Sequence, residues 1–263
     1  MPSQLVILAA GVGRRFGGLK QLTPVGPAGE TIMDYTVFDA AREGFDEVIL
    51  VIRRETEDAI RAHVEAGMGR RVSVQYAFQE LDPGRARPWG TVQAVLAASP
   101  LIDGPFAVAN ADDVYGPGSF ARIAEALARP GNDWAMVGFR LEHTLSPHGS
   151  VSRALCRLDA GGRLLGLEEH PEVTRGSAPV SKNLRGLRPQ VFDALGRARV
   201  AHGDCELFLP TVIGSEIAAG RARVDVIATD DAWMGVTWEA DLSWVRERLA
   251  IAVRSGRYPS PLW

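Results

Sequence analysis

Residues 5–21 read LVILAAGVGRRFGGLKQ, an apolar run followed directly by a glycine-rich segment. Continuous apolar residues from Leu5 to Ala9 are typical of a strand that is buried on both faces of a parallel sheet. A loop that follows the first strand of such a sheet lies at its carboxyl edge, where open α/β folds bind ligands. The opening stretch therefore predicts an α/β fold with a ligand site at residues 11–18.

Apolar strands alternate with helices through the rest of the first half. We predict strands at residues 48–52, 72–78 and 106–109, and helices at 32–42 (with Thr31 as its N-cap), 55–65, 91–98 and 119–129. This alternation indicates parallel strands joined by right-handed crossovers. We therefore predict a Rossmann-like, mainly parallel sheet with helices on both faces.

The second half is less regular and richer in strands. We predict strands at residues 134–139, 154–158, 163–167 and 224–227, and helices at 189–195, 206–219 and 239–253. No internal repeat or clear linker divides the chain, so we predict that residues 1–263 form one domain. The second half then forms a smaller β-rich region that elaborates a site on the first.

Composition excludes several classes of protein. Hydrophobic residues make up 46% and charged residues 23%, which is ordinary for a globular chain, and the net charge of −3 argues against a nucleic-acid partner. The first apolar run is too short to span a membrane, and no basic segment precedes it as in a secretory signal. The two cysteines, Cys156 and Cys205, cannot form a disulfide framework. We expect a cytoplasmic protein with no membrane partner.

The basic residues are almost all arginines, since Lys20 and Lys182 are the two lysines among 29 Lys and Arg residues. These two positions can mark sites that need a compact ammonium group rather than a planar guanidinium. Lys20 lies in the glycine-rich segment with Arg14 and Arg15. Glycines allow backbone N–H groups to face an anion, so a triphosphate is the natural ligand of this loop.

Two common phosphate-binding motifs do not fit the loop. A Walker A loop has Lys directly after its last glycine and then Ser or Thr, whereas here Leu19 intervenes and Gln21 follows. The dinucleotide fingerprint requires a third glycine at the position of Phe16.

The run from Leu8 to Gly13, followed by Arg15 and Lys20, resembles the signature of the nucleotidyltransferases that make nucleotide sugars and related activated alcohols. The resemblance implies an Mg²⁺-dependent enzyme that joins a nucleoside monophosphate from a nucleoside triphosphate to a phosphorylated sugar or sugar-like alcohol and releases pyrophosphate. Residues 1–130 would be the nucleotide-binding half and residues 131–263 the acceptor-binding half. Arg15 and Lys20 would be catalytic, and the loop residues Leu8, Ala10, Gly11, Gly13 and Arg14 would bind the nucleotide.

The same resemblance implies contacts to the base. Gln79 follows a predicted strand, and Gly90 and Thr91 open a predicted helix. In the sugar-nucleotide branch of the family, a glutamine and a Gly-Thr pair at these places frame the base. A solvated Gln79 at a strand end is the competing interpretation.

Asn110-Ala111-Asp112-Asp113 follows the predicted strand at residues 106–109. Carboxylates at the carboxyl end of a strand suit a hard cation such as Mg²⁺. The position resembles the metal site of the family, so we expect Asp112 to be catalytic and to bind the metal. Asp113 could instead be the ligand, with Asp112 structural.

The acceptor site departs from the family pattern. Residues 168–171 read EEHP, where the family has Glu-Glu-Lys-Pro, so His170 replaces the expected lysine. We expect Glu169, Lys182 and Asn183 to bind the acceptor, with Lys182 supplying the phosphate contact. A surface position for Lys182 is the competing interpretation.

A second metal-binding aspartate of the family is absent, because Gly235 occupies its place in Trp233-Met234-Gly235. Asp230, Asp231 and Asp241 are possible substitutes.

Two further functions stay open. The missing second aspartate and His170 are compatible with a non-catalytic nucleotide-binding regulatory protein. The glycines after the first strand also leave a dinucleotide-dependent oxidoreductase as a weaker alternative. The sequence does not specify the base, the acceptor or the oligomeric state.

Overall fold

The computed structural model describes residues 4–11, 19–81, 85, 88–145, 151–173, 175–203, 205–236 and 239–263. The strands are β1 (Gln4–Leu8), β2 (Glu47–Ile52), β3 (Ser73–Phe78), β4 (Phe106–Asn110), β5 (Asp113–Val114), β6 (Trp134–Phe139), β7 (Val151–Leu158), β8 (Leu164–Val173), β9 (Val180–Leu187), β10 (Val224–Thr229) and β11 (Met234–Gly235). The helices are α1 (Ile32–Arg42), α2 (Glu57–Ala66), α3 (Thr91–Ala98), α4 (Pro117–Ala128), α5 (Val191–His202), α6 (Leu209–Ala218) and α7 (Asp241–Arg254).

One main sheet organises the described part of the chain. Its strand order is β10-β6-β9-β4-β1-β2-β3, and the β7–β8 hairpin extends from β9. The pairs among β1, β2, β3 and β4 are parallel, as is the pair of β6 with β10, whereas β9 is antiparallel to both β4 and β6. The predicted mainly parallel α/β fold with an added β-rich region is confirmed.

The apolar residues of the central strands alternate between two cores, one on each face of the sheet. One face packs against α1, α2 and α4, and the other against α3, α5 and α6. Helices on both faces explain why the sequences of β1 and β2 are continuously apolar. A third cluster joins α1 to α7 and to the C-terminal segment.

Strand β9 was missed from the sequence, and it lies in the middle of the sheet. Its sequence, VSKNLRGL, places Ser181, Lys182, Asn183 and Arg185 in a stretch that would otherwise be apolar. Asn183 has φ of 64°, in the left-handed region, and the register with β6 shifts at this point. The polar residues and the irregular backbone remove the periodicity on which a strand prediction depends.

The other predicted strands and helices lie close to the observed ones, but several of the observed elements are longer than predicted. Helix α1 begins after Thr31, as predicted, and Thr31 and Asp34 form a capping box. Strand β8 extends to Val173 and helix α5 to His202, beyond their predicted ends. No helix in the described ranges is both long and apolar enough to cross a membrane. Cys156 is buried and Cys205 exposed, and both are free thiols.

Candidate active site

The ends of β1 and β4 bring the glycine-rich loop and the acidic pair together. Leu8 and Asn110 are register partners, because these two strands are adjacent and parallel. Lys20 donates a hydrogen bond to Asp112 with an Nζ–Oδ2 distance of 2.6 Å, although 92 residues separate them. The Lys20 side chain is largely buried, whereas the Asp112 side chain is 40% exposed. Two of the three residues predicted as catalytic, Lys20 and Asp112, therefore form an ion pair at the carboxyl edge of the sheet.

Gln21 holds the described part of the loop. Its Nε2 donates to the carbonyl oxygens of Ala9, at 3.0 Å, and Gly11, at 2.6 Å. This contact ties the segment around Lys20 to the end of β1. Ala10 is buried and Gly11 exposed at this point, while the predicted contacts Gly13, Arg14 and Arg15 lie outside the described residues.

Asp113 is buried beside the exposed Asp112. Its Oδ2 accepts hydrogen bonds from Asn110 Nδ2, at 2.9 Å, and from the Tyr115 hydroxyl, at 3.2 Å. Burial raises the pKa of Asp113, and the neighbouring Asp112 raises it further. The Thr36 hydroxyl of α1 donates to the Asp113 carbonyl, which docks the acidic turn on that helix.

Strands β5 and β11 place Gly235 directly opposite Asp113. A Cβ atom at Gly235 would lie 2.5 Å from Asp113 Oδ1 and would also collide with the Trp233 ring. The Asp113 side chain therefore occupies the space into which a side chain at position 235 would extend.

The aspartates considered as substitutes have other contacts. Asp231 Oδ2 accepts from the backbone N–H of Ser119, at 2.6 Å, near the start of α4. Asp230 is exposed and pairs with Arg140, at 3.5 Å. Asp241 begins α7. These contacts do not support Asp230, Asp231 or Asp241 as a replacement for the second metal-binding aspartate of the family.

Lys182 faces the acidic residues rather than solvent. Its Nζ lies 3.4 Å from the centroid of the Trp233 ring, which is a cation–π contact. Burial lowers its pKa to about 8, while Asp113, Asp112 and Glu169 act in the opposite direction. A solvated surface position is thus wrong for Lys182. His170, in contrast, is half-exposed and lies 3.8 Å from Glu168.

A cavity of about 450 Å³ adjoins this edge of the sheet. The polar residues that line it include Asn110, Glu169, Lys182 and Asn183, and its apolar wall includes Leu8 and Phe208. Its volume lies within the range of small-molecule sites. The three residues predicted to bind the acceptor therefore line one cavity beside the Lys20–Asp112 pair.

The residues predicted to frame the base hold neighbouring segments together. Gln79 is buried, and its Nε2 donates to the Gly90 carbonyl at 2.9 Å. The Thr91 hydroxyl oxygen accepts from the backbone N–H of Leu209 at 2.8 Å. Gly90 has φ of 88°, and a Cβ there would lie 2.5 Å from the Leu207 carbonyl oxygen. Their contact with a base stays a prediction.

The residues present fit a magnesium ion that is shared with a phosphate ligand. Asp112 offers an exposed carboxylate, and Mg²⁺ in phosphate-transfer sites is often held by one or two carboxylates together with substrate oxygens and water. Within the described ranges, no group of three or more His, Cys, Asp or Glu side chains could hold a metal by itself. Asp112 is therefore the residue that would hold the ion, together with oxygens of the substrate.

The sequence did not identify Arg153 and Arg185 as parts of this cavity, whereas it offered Trp233 as part of a possible sugar-stacking platform with Trp244 and with Trp238, which lies outside the described residues. Arg153 and Arg185 are buried and line the cavity, and Trp233 stacks on Lys182. Neither arginine carries a local sequence signal, because Arg153 precedes the predicted part of β7 and β9, which holds Arg185, is interrupted by polar residues.

Lys20 beside Asp112, the buried Asp113 and an adjoining polar cavity lie at one edge of a mainly parallel sheet, which is the arrangement predicted for a nucleotidyltransferase-type site. The model of the nucleotidyl transferase family matches residues 4–243. The chain belongs to this family, and the predicted enzyme class is confirmed.

Curated relatives are longer than this chain. Bifunctional protein GlmU of Sorangium cellulosum is 24% identical over 258 residues, which cover 94% of this chain and 52% of that protein. The chain thus spans about half the length of the curated relatives it matches.

Solved structures share the fold. The inositol-1-phosphate CTP transferase of T. maritima has a TM-score of 0.75 at 14% identity, with 96% of this chain and 97% of that chain covered. A Bacillus anthracis protein assigned as a glucose-1-phosphate thymidylyltransferase, in complex with sucrose, has a TM-score of 0.71 at 14% identity, with 94% and 95% covered.

Proposed function

We propose that the protein is an Mg²⁺-dependent nucleotidyltransferase that joins a nucleoside monophosphate from a nucleoside triphosphate to a phosphorylated sugar or sugar-like alcohol, with release of pyrophosphate. The observation that carries this proposal is the Lys20–Asp112 pair beside a cavity that contains Lys182. One cation and one carboxylate at the phosphate loop, and a second cation at the acceptor side, suit the joining of two phosphorylated substrates.

The chain's own residues act by positioning and by charge neutralisation. The acceptor phosphate attacks the α-phosphorus in line, and pyrophosphate leaves, so no protein nucleophile is required. Lys20 neutralises charge on the departing pyrophosphate, and Arg15 and Arg14, which lie outside the described residues, would do the same. Asp112 holds Mg²⁺, which supplies charge neutralisation to the phosphates when bound.

Lys182, Glu169 and Asn183 hold the acceptor in this proposal. The Lys182 ammonium is fixed by the Trp233 ring at the end of the cavity nearest the acidic pair, so it meets the acceptor phosphate. His170 does not replace it, because the geometry turns that side chain towards Glu168.

The loop residues Leu8, Ala10, Gly11 and Gly13, together with Gln79, Gly90 and Thr91, form the nucleotide side of the site. The Gln79–Gly90 hydrogen bond supports this assignment, because it holds the start of α3 at the same sheet edge as the loop. The class of acceptor, the contacts to the base and a cytoplasmic location are likewise parts of this proposal.

A nucleotide-binding regulatory protein is the second candidate function. Gly235 favours it, because the aspartate of the family is replaced at a position that has no room for a side chain. Such a protein would bind a nucleoside triphosphate and Mg²⁺ without releasing pyrophosphate in the presence of any phosphorylated acceptor.

The experiment has two stages. Thermal shift with each nucleoside triphosphate and with NAD⁺, with and without Mg²⁺, identifies the nucleotide, since a ligand at 100 times its Kd adds about 2.7 kcal/mol of stability. Pyrophosphate release is then measured with that nucleotide and a panel of phosphorylated acceptors. Stabilisation by NAD⁺ alone would contradict the proposal, and a triphosphate that binds without release with any acceptor would favour the regulatory function.

We expect Lys20→Ala and Asp112→Ala each to lower turnover by about a hundredfold or more, because each removes a group that neutralises phosphate charge (about 2.7 kcal/mol or more of barrier). Arg122→Ala and Glu125→Ala are matched controls, because these exposed side chains pair with each other on α4. Near-normal turnover in either site variant, with circular dichroism unchanged, would refute the assigned role.

A further inference from the structure

Arg185 is a buried cation at the floor of the cavity without a carboxylate partner. The residue is 2% exposed, and no Asp or Glu oxygen in the described ranges lies within ion-pair distance of it. Its Nη1 donates to Asn183 Oδ1 at 2.8 Å, and its Nη2 approaches Ser181 Oγ at 3.3 Å. Its Nε has no hydrogen-bond partner among the described residues.

A guanidinium has five N–H donors, and a buried cation without a counter-ion costs stability. Burial lowers the pKa of Arg185 to about 10, against the opposing influence of Cys156 and Tyr115. Neither of these neighbours is a carboxylate. The group that balances Arg185 must therefore come from outside the part of the chain described, and the cavity is where it can enter.

The charged side chains that line the cavity are unbalanced. They are Arg153, Lys182 and Arg185 on the positive side and Glu169 on the negative side. Asp113 lies close enough to act on Arg153 and Lys182, whereas no described carboxylate acts on Arg185. Arg153 is also buried, and its guanidinium bonds to Thr144 and to the Ser152 carbonyl rather than to a carboxylate. This imbalance indicates an anionic occupant.

Arg185 lies away from the position assigned to the acceptor phosphate. It pairs with Met136 of β6, whereas Ser181, next to Lys182, pairs with Gly138. Met136 and Gly138 are two positions apart in β6, which corresponds to roughly 7 Å along a strand. Strand β9 runs antiparallel to β4, and Arg185 pairs with Val108, before the end of β4. Arg185 therefore lies deeper in the sheet than Lys182 and farther from the acidic pair.

The cavity wall near the start of α6 consists mainly of apolar residues, including Phe208, Leu209 and Pro210. A buried guanidinium that lines such a cavity without a described carboxylate partner selects for a ligand that can pair with it, since an unpaired buried charge is left otherwise. The planar donors of arginine match the two oxygens of a carboxylate.

We propose that the acceptor carries a carboxylate at the end remote from its phosphate, and that Arg185 binds this carboxylate while Lys182 binds the phosphate. This inference rests on the proposed function and narrows its substrate class to phosphorylated sugar acids or related phosphorylated hydroxy acids. Arg185 is then a specificity-determining residue.

The test uses pairs of acceptors that differ in a carboxylate. Suitable pairs are glucuronic acid 1-phosphate with glucose 1-phosphate, 3-phosphoglycerate with glycerol 3-phosphate, and phosphoserine with phosphoethanolamine. Pyrophosphate release is measured for each pair with the nucleotide found by thermal shift. The expected result is that the best acceptor of the panel carries a carboxylate, with kcat/KM at least tenfold above that of its partner.

Arg185→Gln and Arg185→Met are expected to remove this preference, by lowering kcat/KM at least tenfold for the acid and much less for its partner. Arg185→Lys should restore part of it. Because these substitutions also remove an unpaired buried charge, Arg185→Met should keep or raise the melting temperature of the free protein. Arg188→Gln is the control, since Arg188 is also buried but donates to the carbonyls of Asp133 and Arg129. It should lower stability and leave the preference intact.

Three outcomes would overturn the inference. They are a best acceptor without a carboxylate, an equal loss for both members of a pair in Arg185→Gln, and a fall in melting temperature of Arg185→Met with the preference kept. Pyrophosphate release with any acceptor supports the proposed function in each of these cases, whereas no release with any acceptor overturns that function and this inference together.

Discussion

Gly235 stands where the family resemblance predicts a metal-binding aspartate, and its surroundings leave no room for a side chain. The nearest atom on one side is Asp113 Oδ1, and the Trp233 ring lies on the other. Asp113 is thus the carboxylate that occupies this part of the site. The sequence lacks an aspartate at position 235, but in the structure the Asp113 side chain lies in the space that a side chain at position 235 would take.

We therefore expect Gly235→Asp to destabilise the protein rather than to add a metal ligand. A new side chain must displace Trp233 or Asp113, and overpacking of this kind costs about 1–3 kcal/mol. The free energy of unfolding in urea measures the effect.

Gly235→Ala should show a similar loss, because the cost is steric. Gly196→Ala is the matched control, since nothing lies within 4 Å of a Cβ at Gly196 in α5, and alanine is the better helix former. Tighter Mg²⁺ binding by a stable Gly235→Asp protein would contradict this interpretation.

Individual site residues differ in how far the sequence alone could predict them. Lys20 and Asp112 each carry a local signal, a glycine-rich loop and a carboxylate at a strand end. Arg185 carries no such signal, because its burial depends on the helices and the β7–β8 hairpin that cover β9. Its proposed role in binding the acceptor follows from the absence of a carboxylate partner among the described residues, and this absence depends on the tertiary structure.

At the scale of elements, the helix N-termini also differ in whether their stabilising contacts come from neighbouring residues or from distant ones. Thr31 was predicted as the N-cap of α1, and its partner in the capping box, Asp34, is only three residues away in the sequence. The contact at the start of α4 comes from Asp231, 112 residues away from Ser119. A carboxylate there stabilises the positive end of the helix.

We expect Asp231→Ala to lower the free energy of unfolding by about 1 kcal/mol, as the loss of a helix cap does. Turnover at a temperature well below the melting transition should stay within a few fold of the wild type, because Asp231 caps α4 and is not assigned to the metal. Urea unfolding and pyrophosphate release measure the two effects.

Asp230→Ala is the control for this prediction, since Asp230 is exposed and its ion pair with Arg140 contributes little. A hundredfold loss of turnover in Asp231→Ala, with an unchanged apparent affinity for the acceptor, would instead identify Asp231 as a metal ligand.

At the scale of the whole molecule, the C-terminal segment joins α1 through buried contacts. The Tyr258 hydroxyl donates to Asp39 Oδ2 at 2.7 Å, and Trp263 Nε1 donates to Asp34 Oδ1 at 3.3 Å. Burial raises the pKa of Asp39 to about 7; the Tyr258 hydrogen bond acts in the opposite direction. Asp39 therefore links proton binding to global stability.

The sign of this linkage follows from the proton balance. Between about pH 4 and pH 7, the folded protein keeps a proton on Asp39 that the unfolded chain has released, so stability falls as the pH rises through this interval. The contribution approaches about 1.4 kcal/mol per pH unit and levels off above about pH 7.

We expect Asp39→Asn to remove this part of the pH dependence. The measurement is the free energy of unfolding in urea at pH 5, 6, 7 and 8, taken as the difference between the two proteins. The difference cancels the contribution of His63, whose pKa is raised by its hydrogen bond to Asp34 at 2.9 Å. Parallel curves for the wild type and the variant would show that Asp39 is ionised in the folded protein throughout.

The sequence by itself determined the order of strands and helices in the first half, the glycine-rich segment after β1 and the acidic pair after β4. Each of these is encoded by neighbouring residues, through apolar runs, glycines and polar residues at strand ends. The tertiary structure alone decided the insertion of β9, the pairing of Lys20 with Asp112 and the cavity floor at Arg185. These features depend on contacts between segments that are far apart in the chain, and a local pattern carries no record of which distant segment will cover a residue or neutralise its charge.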